Sequence, residues 1–167
     1  MPEATTVKQY VSTANKLLFT YGKSFHWARY FLGKEVGLQA TRLYAFCRYL
    51  DDIADQPDNL GATKLKSIQN IFNNYSYQAG SYPEVDNFLL LKQELDLPVF
   101  AVEDLLEGLI SDQGTVLLLN ENQLIQYSYK VAGTVGLMMA PILGISSKKA
   151  IPFAVDLGIA MQLTNIS

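Results

Sequence analysis

Apolar residues recur at helical spacing along almost the whole chain, and long period-two alternation is missing. Val7, Tyr10, Val11, Ala14, Leu17 and Leu18 mark an amphipathic helix that Gly22 ends, and Ser24 is placed to cap a short helix from Phe25 to Leu32. From Thr41 to Asp55, the residues Leu43, Phe46, Cys47, Leu50, Ile53 and Ala54 trace one core-facing stripe. That helix should stop at Gln56, because Pro57 disfavours the α conformation in the residue before it. Residues 56–61 are a loop by composition. Leu65, Ile68, Ile71 and Phe72 give the next helix a single apolar face, which frays into the polar stretch 73–82. Pro83 opens a helix through Val85, Phe88, Leu89 and Leu91, and Pro98 restarts the chain ahead of Val102, Leu105, Leu106, Leu109 and Ile110. Asn120, with Gln123 three residues on, predicts an N-cap. The helix that follows turns apolar on every side after Lys130 and so belongs in the interior, although Gly133 and Gly136 each cost it about 1 kcal/mol relative to Ala. Pro152 opens the last helix, and residues 115–119 are a weak strand candidate. The pattern predicts an all-α fold.

Charge interrupts this pattern at one place. Tyr44, Arg48, Asp51 and Asp55 follow a spacing of 4, 3 and 4 and stack along a second stripe of the 41–55 helix, with Asp52 on its shoulder. The three aspartates occupy the end where the helix dipole disfavours anions by about 0.3–1 kcal/mol each. Asp51 and Asp55 also repel at i, i+4, by about 0.2–0.5 kcal/mol. Two readings stand: a solvated helix end with Arg48 pairing Asp51 or Asp52, or a magnesium site. Carboxylates one turn apart can share hard cations that keep waters and take oxygens from a substrate phosphate, which Arg48 would also meet. Ala132, Gly136 and Ala140 form a small-residue stripe, a furrow for a neighbouring helix or a slender ligand. Asn165 on its own reads as a buried amide satisfied by backbone. His26 has no second histidine to build a zinc site or a triad and reads as a packed helix residue.

Composition narrows the class. A chain of 167 residues with 49% hydrophobic and 17% charged residues predicts one globular domain spanning 1–167. The net charge of -3 gives no field for nucleic acid, and no Lys/Arg run marks a membrane patch. Cys47 is the only cysteine, which excludes an internal disulfide and a cysteine metal site and fits a reducing compartment. The start lacks the basic and apolar regions of a signal peptide, so a cytoplasmic location is expected, with peripheral membrane contact and oligomeric state left open. The uncharged part of 131–147 contains Pro141 and falls short of a spanning helix.

The stretch TRLYAFCRYLDDIAD closely resembles the first aspartate-rich motif of the squalene and phytoene synthase family, the head-to-head prenyl transferases. KSF at 23–25, YSYKVAGTVGLMMAPILG at 127–144 and DLGIAMQLTNI at 156–166 match further family segments in the family's order. The resemblance implies the isoprenoid synthase fold, an orthogonally packed helical bundle. It would be incomplete at its C-terminus, since the family's LTNI segment runs into a second acidic motif of RDxxED type and this sequence stops at Ser167. Also implied is a transferase using magnesium, with manganese as a substitute, that joins two farnesyl or geranylgeranyl diphosphates through a cyclopropylcarbinyl diphosphate. By the same resemblance Asp51, Asp52, Asp55 and Asn165 hold metal. Ser24, Phe25, Arg48, Lys130 and Asn165 contact the diphosphate, and Ala132, Gly133 and Gly136 wall the prenyl chain. Tyr44, Arg48, Asp51, Asp55, Tyr129 and Gln162 form the catalytic set, in which the tyrosines orient substrate or stabilise a cation. Gly22 departs from a serine frequent in the family, while Glu107 and Asp112 lie where the family usually has acidic residues, or are surface charge. No G-x-G-x-x-G fingerprint is present, which leans away from NADPH and toward a phytoene-type product. With the second acidic motif missing, the chain is expected to bind diphosphate without making head-to-head product. The alternative is a non-catalytic family member acting as a prenyl-lipid-binding or assembly protein.

Overall fold

A computed structural model describes residue 12 and residues 31–56, 60–73, 79–112 and 120–166. Apart from residue 12, which is helical, the expected helix over 7–21 lies outside the described residues, as do the Ser24 cap, Phe25, His26 and the strand candidate at 115–119. Seven α-helices are described: α1 Lys34–Ala54, α2 Leu60–Asn73, α3 Pro83–Leu95, α4 Val99–Ser111, α5 Glu121–Ser128, α6 Thr134–Ile142 and α7 Ile151–Ile166. A π-helical segment, Tyr129–Gly133, joins α5 to α6. There is no strand among the described residues, so the all-α expectation holds for them. None of the described helices is long and apolar enough to cross a membrane.

The chain forms two compact units, Met1–Tyr49 with Gln78–Asp96, and Leu50–Tyr77 with Leu97–Ser167. In the first, the stripe on α1 meets α3 through Phe46 and Phe88, whose rings stack with centroids 4.0 Å apart. Leu43, Val85 and Leu91 are buried as well. Arg42, only 5% exposed, is the unexpected member of this core. Its Nε donates to Asn87 Oδ1 at 2.9 Å, one terminal nitrogen to the Asn87 carbonyl at 3.0 Å and the other to Glu94 Oε2 at 2.7 Å. A buried guanidinium is tolerable only when its donors are met in this way. Pro83 opens α3 as expected, and Asp96 ends it in the left-handed conformation at φ 51°, its N–H bonding the Lys92 carbonyl.

The second unit is built on the helical run from Glu121 to Ile142. Asn120 caps it, its side chain accepting from the Gln123 N–H at 3.0 Å. The expected single helix is instead widened at Tyr129–Gly133, where the Thr134 N–H reaches back five residues to the Tyr129 carbonyl. A wide turn of this kind leaves no trace in hydrophobic spacing. Gly144, at φ 72°, closes α6: its N–H bonds the Pro141 carbonyl, and the Ile145 N–H bonds that of Ala140. These are the two bonds of a Schellman motif. Around this run, α4 packs on the π segment and α6, α2 packs on α4, and α7 packs on α5, the π segment and α6.

Contact of α7 with α6 and with the π segment is backbone to backbone. A Cβ on Gly136 would fall 2.1 Å from the Ala154 carbonyl oxygen, and one on Gly158 would fall 2.3 Å from that of Ala132. Of the two occupants expected for the small-residue furrow, the neighbouring helix is the one found.

Three expectations need correction. The loop at 56–61 is shorter, because α2 already begins at Leu60 and buries Gly61 in its first turn. Cys47 and Ala54 are half-buried at the edge of the α1 stripe and not within it. Asn165 is exposed, so the buried-amide reading fails.

Replacing Gly136 or Gly158 by Ala would help an isolated helix by about 1 kcal/mol. In this fold the added methyl must push two backbones apart, and each change is expected to destabilise by about 1–3 kcal/mol in urea denaturation. A neutral result would mean that the helices are not in backbone contact.

Candidate active site

The acidic end of α1 keeps the form its sequence predicts. Helical bonding persists to Asp55, whose N–H bonds the Asp51 carbonyl at 2.9 Å, and the helix then stops before Pro57. Ile53 is buried, which turns Asp51, Asp52 and Asp55 outward to exposed positions. Tyr44 and Arg48 are half-buried further back on the same helix.

Within the second unit, two phenols are held by carboxylates of α4 and its C-cap. Tyr127 donates its hydroxyl to Asp112 Oδ2 at 2.9 Å, and Tyr129 donates to Asp104 Oδ2 at 2.8 Å. Lys130 Nζ donates to Glu107 Oε1 at 2.8 Å, an exposed ion pair of the kind that contributes little to stability. Gly108 explains why these bonds can form. It stands midway between Asp104 and Asp112 on α4, and a Cβ there would fall 2.8 Å from that of Lys130. The helices therefore approach closely enough for carboxylates one turn to either side to receive the two phenols.

Burial, the hydrogen bond to Asp112, that carboxylate's charge and then the charge of Asp51 push the Tyr127 phenol up to about 12. Burial, and then the bond to and charge of Asp104, push Tyr129 up to about 12 as well. Both phenols are held neutral, and the effect of Asp51 on Tyr127 links the acidic end of α1 to this ladder.

The remaining predicted residues fall into three groups. Ser24 and Phe25 lie outside the described residues. Gln162 is half-buried and Asn165 exposed on α7. Ala132, Gly133 and Gly136 belong to helix packing: Val155 and Ile159 cover the open face of Gly133, Ala154 covers that of Gly136, and the Ala132 carbonyl abuts Gly158. On those faces the helix-packing role of the small residues is the one seen.

Two groups of residues escaped the sequence reading. Asp104 was not singled out, although the spacing Asp104, Gly108, Asp112 places two acids and a gap on one side of α4. Gly158 was also missed; its signal was the small pair Ala154 and Gly158 at i, i+4, matching the stripe on α6.

Among the described residues no three His, Cys, Asp or Glu side chains converge on one metal position. Asp51, Asp52 and Asp55 are exposed at the end of α1 and do not form a closed protein cage there.

The family model described as squalene/phytoene synthase matches residues 18–167. The chain belongs to the squalene/phytoene synthase family. It is 32% identical over 160 residues to a phytoene synthase of Rhodobacter capsulatus, covering 94% of this chain and 47% of that protein. To a phytoene synthase of Thermus thermophilus it is 38% identical over 147 residues, covering 84% and 50%. A crystal structure of a dehydrosqualene synthase in complex with ligand superposes with a TM-score of 0.81 at 27% identity, over 96% of this chain and 56% of that one. The family's isoprenoid synthase fold is thereby shown, and the chain spans about half the length of the curated relatives it matches.

The raised phenols have a consequence for stability. The folded chain keeps two protons that the unfolded chain, with tyrosines near 10, would release. Their contribution is complete below pH 10 and is lost as pH rises toward about 12. Tyr127→Phe with Tyr129→Phe should flatten this part of the stability profile; an unchanged alkaline decline measured by denaturation at each pH would refute the assignment.

Proposed function

We propose that this chain carries the first acidic half-site of a prenyl transferase that condenses two prenyl diphosphates, farnesyl or geranylgeranyl, head to head. The observation that carries the reading is the squalene/phytoene synthase family match over residues 18–167, a span that includes the acidic end of α1. Relatives bearing the name phytoene synthase support a phytoene-type product.

In this reading Asp51, Asp52 and Asp55 hold magnesium through exposed oxygens, with Asn165 as a further ligand. Bound there, the ion would draw negative charge from the departing diphosphate and favour ionisation. Arg48, one turn before Asp51 or Asp52 on α1, takes diphosphate oxygens through its guanidinium fork. Lys130 engages one carboxylate and has further ammonium protons for a second anion. Tyr127 and Tyr129, kept neutral, do not repel the diphosphate and can face an allylic cation with oxygen lone pairs or ring faces. Tyr44 and Gln162 complete the proposed catalytic set.

Magnesium with an unreactive prenyl diphosphate analogue is expected to stabilise the chain, by about 2.7 kcal/mol at 100 times the dissociation constant. Asp51→Asn combined with Asp55→Asn should abolish the melting shift. A shift that survives the double substitution would place the diphosphate site elsewhere.

A further inference from the structure

We propose that Asp104 and Asp112 are positioning residues that commit the hydroxyl protons of Tyr129 and Tyr127 to α4, so that both phenols offer a bound molecule only oxygen lone pairs and ring faces. A phenol has one proton to give. Here each is given to a carboxylate, at 2.8 Å for Tyr129 and 2.9 Å for Tyr127. Charge-assisted bonds of this length are among the stronger ones available to a neutral donor, and a diphosphate oxygen would have to break one to be recognised by either tyrosine. The two tyrosines are therefore unsuited to grip an anion and suited to face a cation.

The neighbouring Lys130 takes the opposite part. Its ammonium spends one proton on Glu107 and keeps others, so anion recognition and cation recognition are divided between adjacent residues of one helical segment. The arrangement is more than packing. Asp104 and Glu107 on α4 and Asp112 at its C-cap crowd three acids onto one side of a helix that contains no Lys or Arg, and the phenols held by Asp104 and Asp112 are only half-buried. Stability alone would be served by fewer charges. The identity of the cation, an allylic carbon ionising from its diphosphate, rests on the prenyl transferase reading; the commitment of the protons does not.

The test has two arms on the full chain. Without ligand, proton NMR should show two slowly exchanging, downfield tyrosine hydroxyl resonances, assigned by Tyr127→Phe and Tyr129→Phe. Asp104→Ala should remove the Tyr129 resonance and Asp112→Ala that of Tyr127, with folding checked by urea denaturation. Resonances that survive both changes overturn the proposal. With magnesium, affinities are compared for farnesyl thiodiphosphate, neutral at the reacting carbon, and a farnesyl analogue with ammonium at that carbon. Tyr129→Phe and Asp104→Ala should each weaken the ammonium probe about tenfold and the neutral probe less than about twofold. The double variant should lose no more than either single one, and Asp104→Asn, which still accepts the hydroxyl proton, should recover most of the loss. Equal weakening of both probes, or additive losses, would show a merely structural role and overturn the assignment. If the unsubstituted chain binds neither probe, the prenyl reading falls and takes the cation with it, while the hydroxyl resonances still decide where the protons are held.

Discussion

Backbone contact of α7 with α6 and the π segment is the constraint on which the second unit turns. Gly136 against the Ala154 carbonyl and Gly158 against that of Ala132 leave no space for a methyl group, so the rotation of the Glu121–Ile142 run about its own axis is fixed. Once Ala132 and Gly133 face α7, Tyr129 and Lys130 are left to face α4, where Asp104 and Glu107 receive them. Gly108 repeats the device on the other side by letting the Lys130 Cβ close on α4. Glycines thus set the separations, and the polar bonds follow from them. Each glycine inside a helix costs about 1 kcal/mol in propensity, and the close approach it permits offsets that cost through dispersion and hydrogen bonding.

Electrostatics explains why the ladder is made of tyrosines. Asp51, Asp104, Glu107 and Asp112 concentrate negative charge in one unit, and phenols satisfy carboxylates without adding a charge of either sign. Desolvation and the nearby carboxylates act in the same direction and hold both phenols protonated. More lysines in their place would have neutralised the carboxylates in advance. A neutral ladder leaves the negative charge of the first aspartate motif undiminished from this side.

Much of this was legible in the sequence, for identifiable reasons. Residues whose effect is local announced themselves: Pro83 and Pro98 punctuate helices by chemistry confined to one or two neighbours, and the Asn120 cap needs only Gln123. The acidic end of α1 could be read because its aspartates offend the helix dipole within the last two turns. What could not be read depends on partners far away in the chain. Asp104 acquires its meaning from a hydroxyl 25 residues on, and Arg42 from Asn87 and Glu94, 45 and 52 residues on. The π segment was invisible because one wide turn changes hydrophobic spacing by less than natural variation in the pattern does. Gly61 misled because it follows a proline, an aspartate and an asparagine, and composition could not tell the last loop residue from the first turn of a helix. The furrow was legible only in part: small residues at i, i+4 specify closeness, which the contact with α7 bears out, and say nothing about what comes close.

The final helix shows how strongly the candidate site leans on those small residues. Nearly every position of α7 is apolar, so its sequence offers no direction for its buried face, and in the fold none of its residues is fully buried. Phe153, Leu157 and Met161 are 73%, 64% and 60% exposed, while Ala154, Val155, Gly158 and Ile159 meet the π segment and α6. Small side chains remove little apolar area from water, so the hydrophobic contribution at this contact is modest, and its strength comes from the many short-range atom pairs that close backbone approach allows. Dispersion falls off steeply with distance, and a gap of 0.5–1 Å forfeits roughly a quarter to a half of each such contact. The placement of Gln162 and Asn165, one and two turns beyond Gly158, is therefore governed less by their own bonds than by two missing methyl groups.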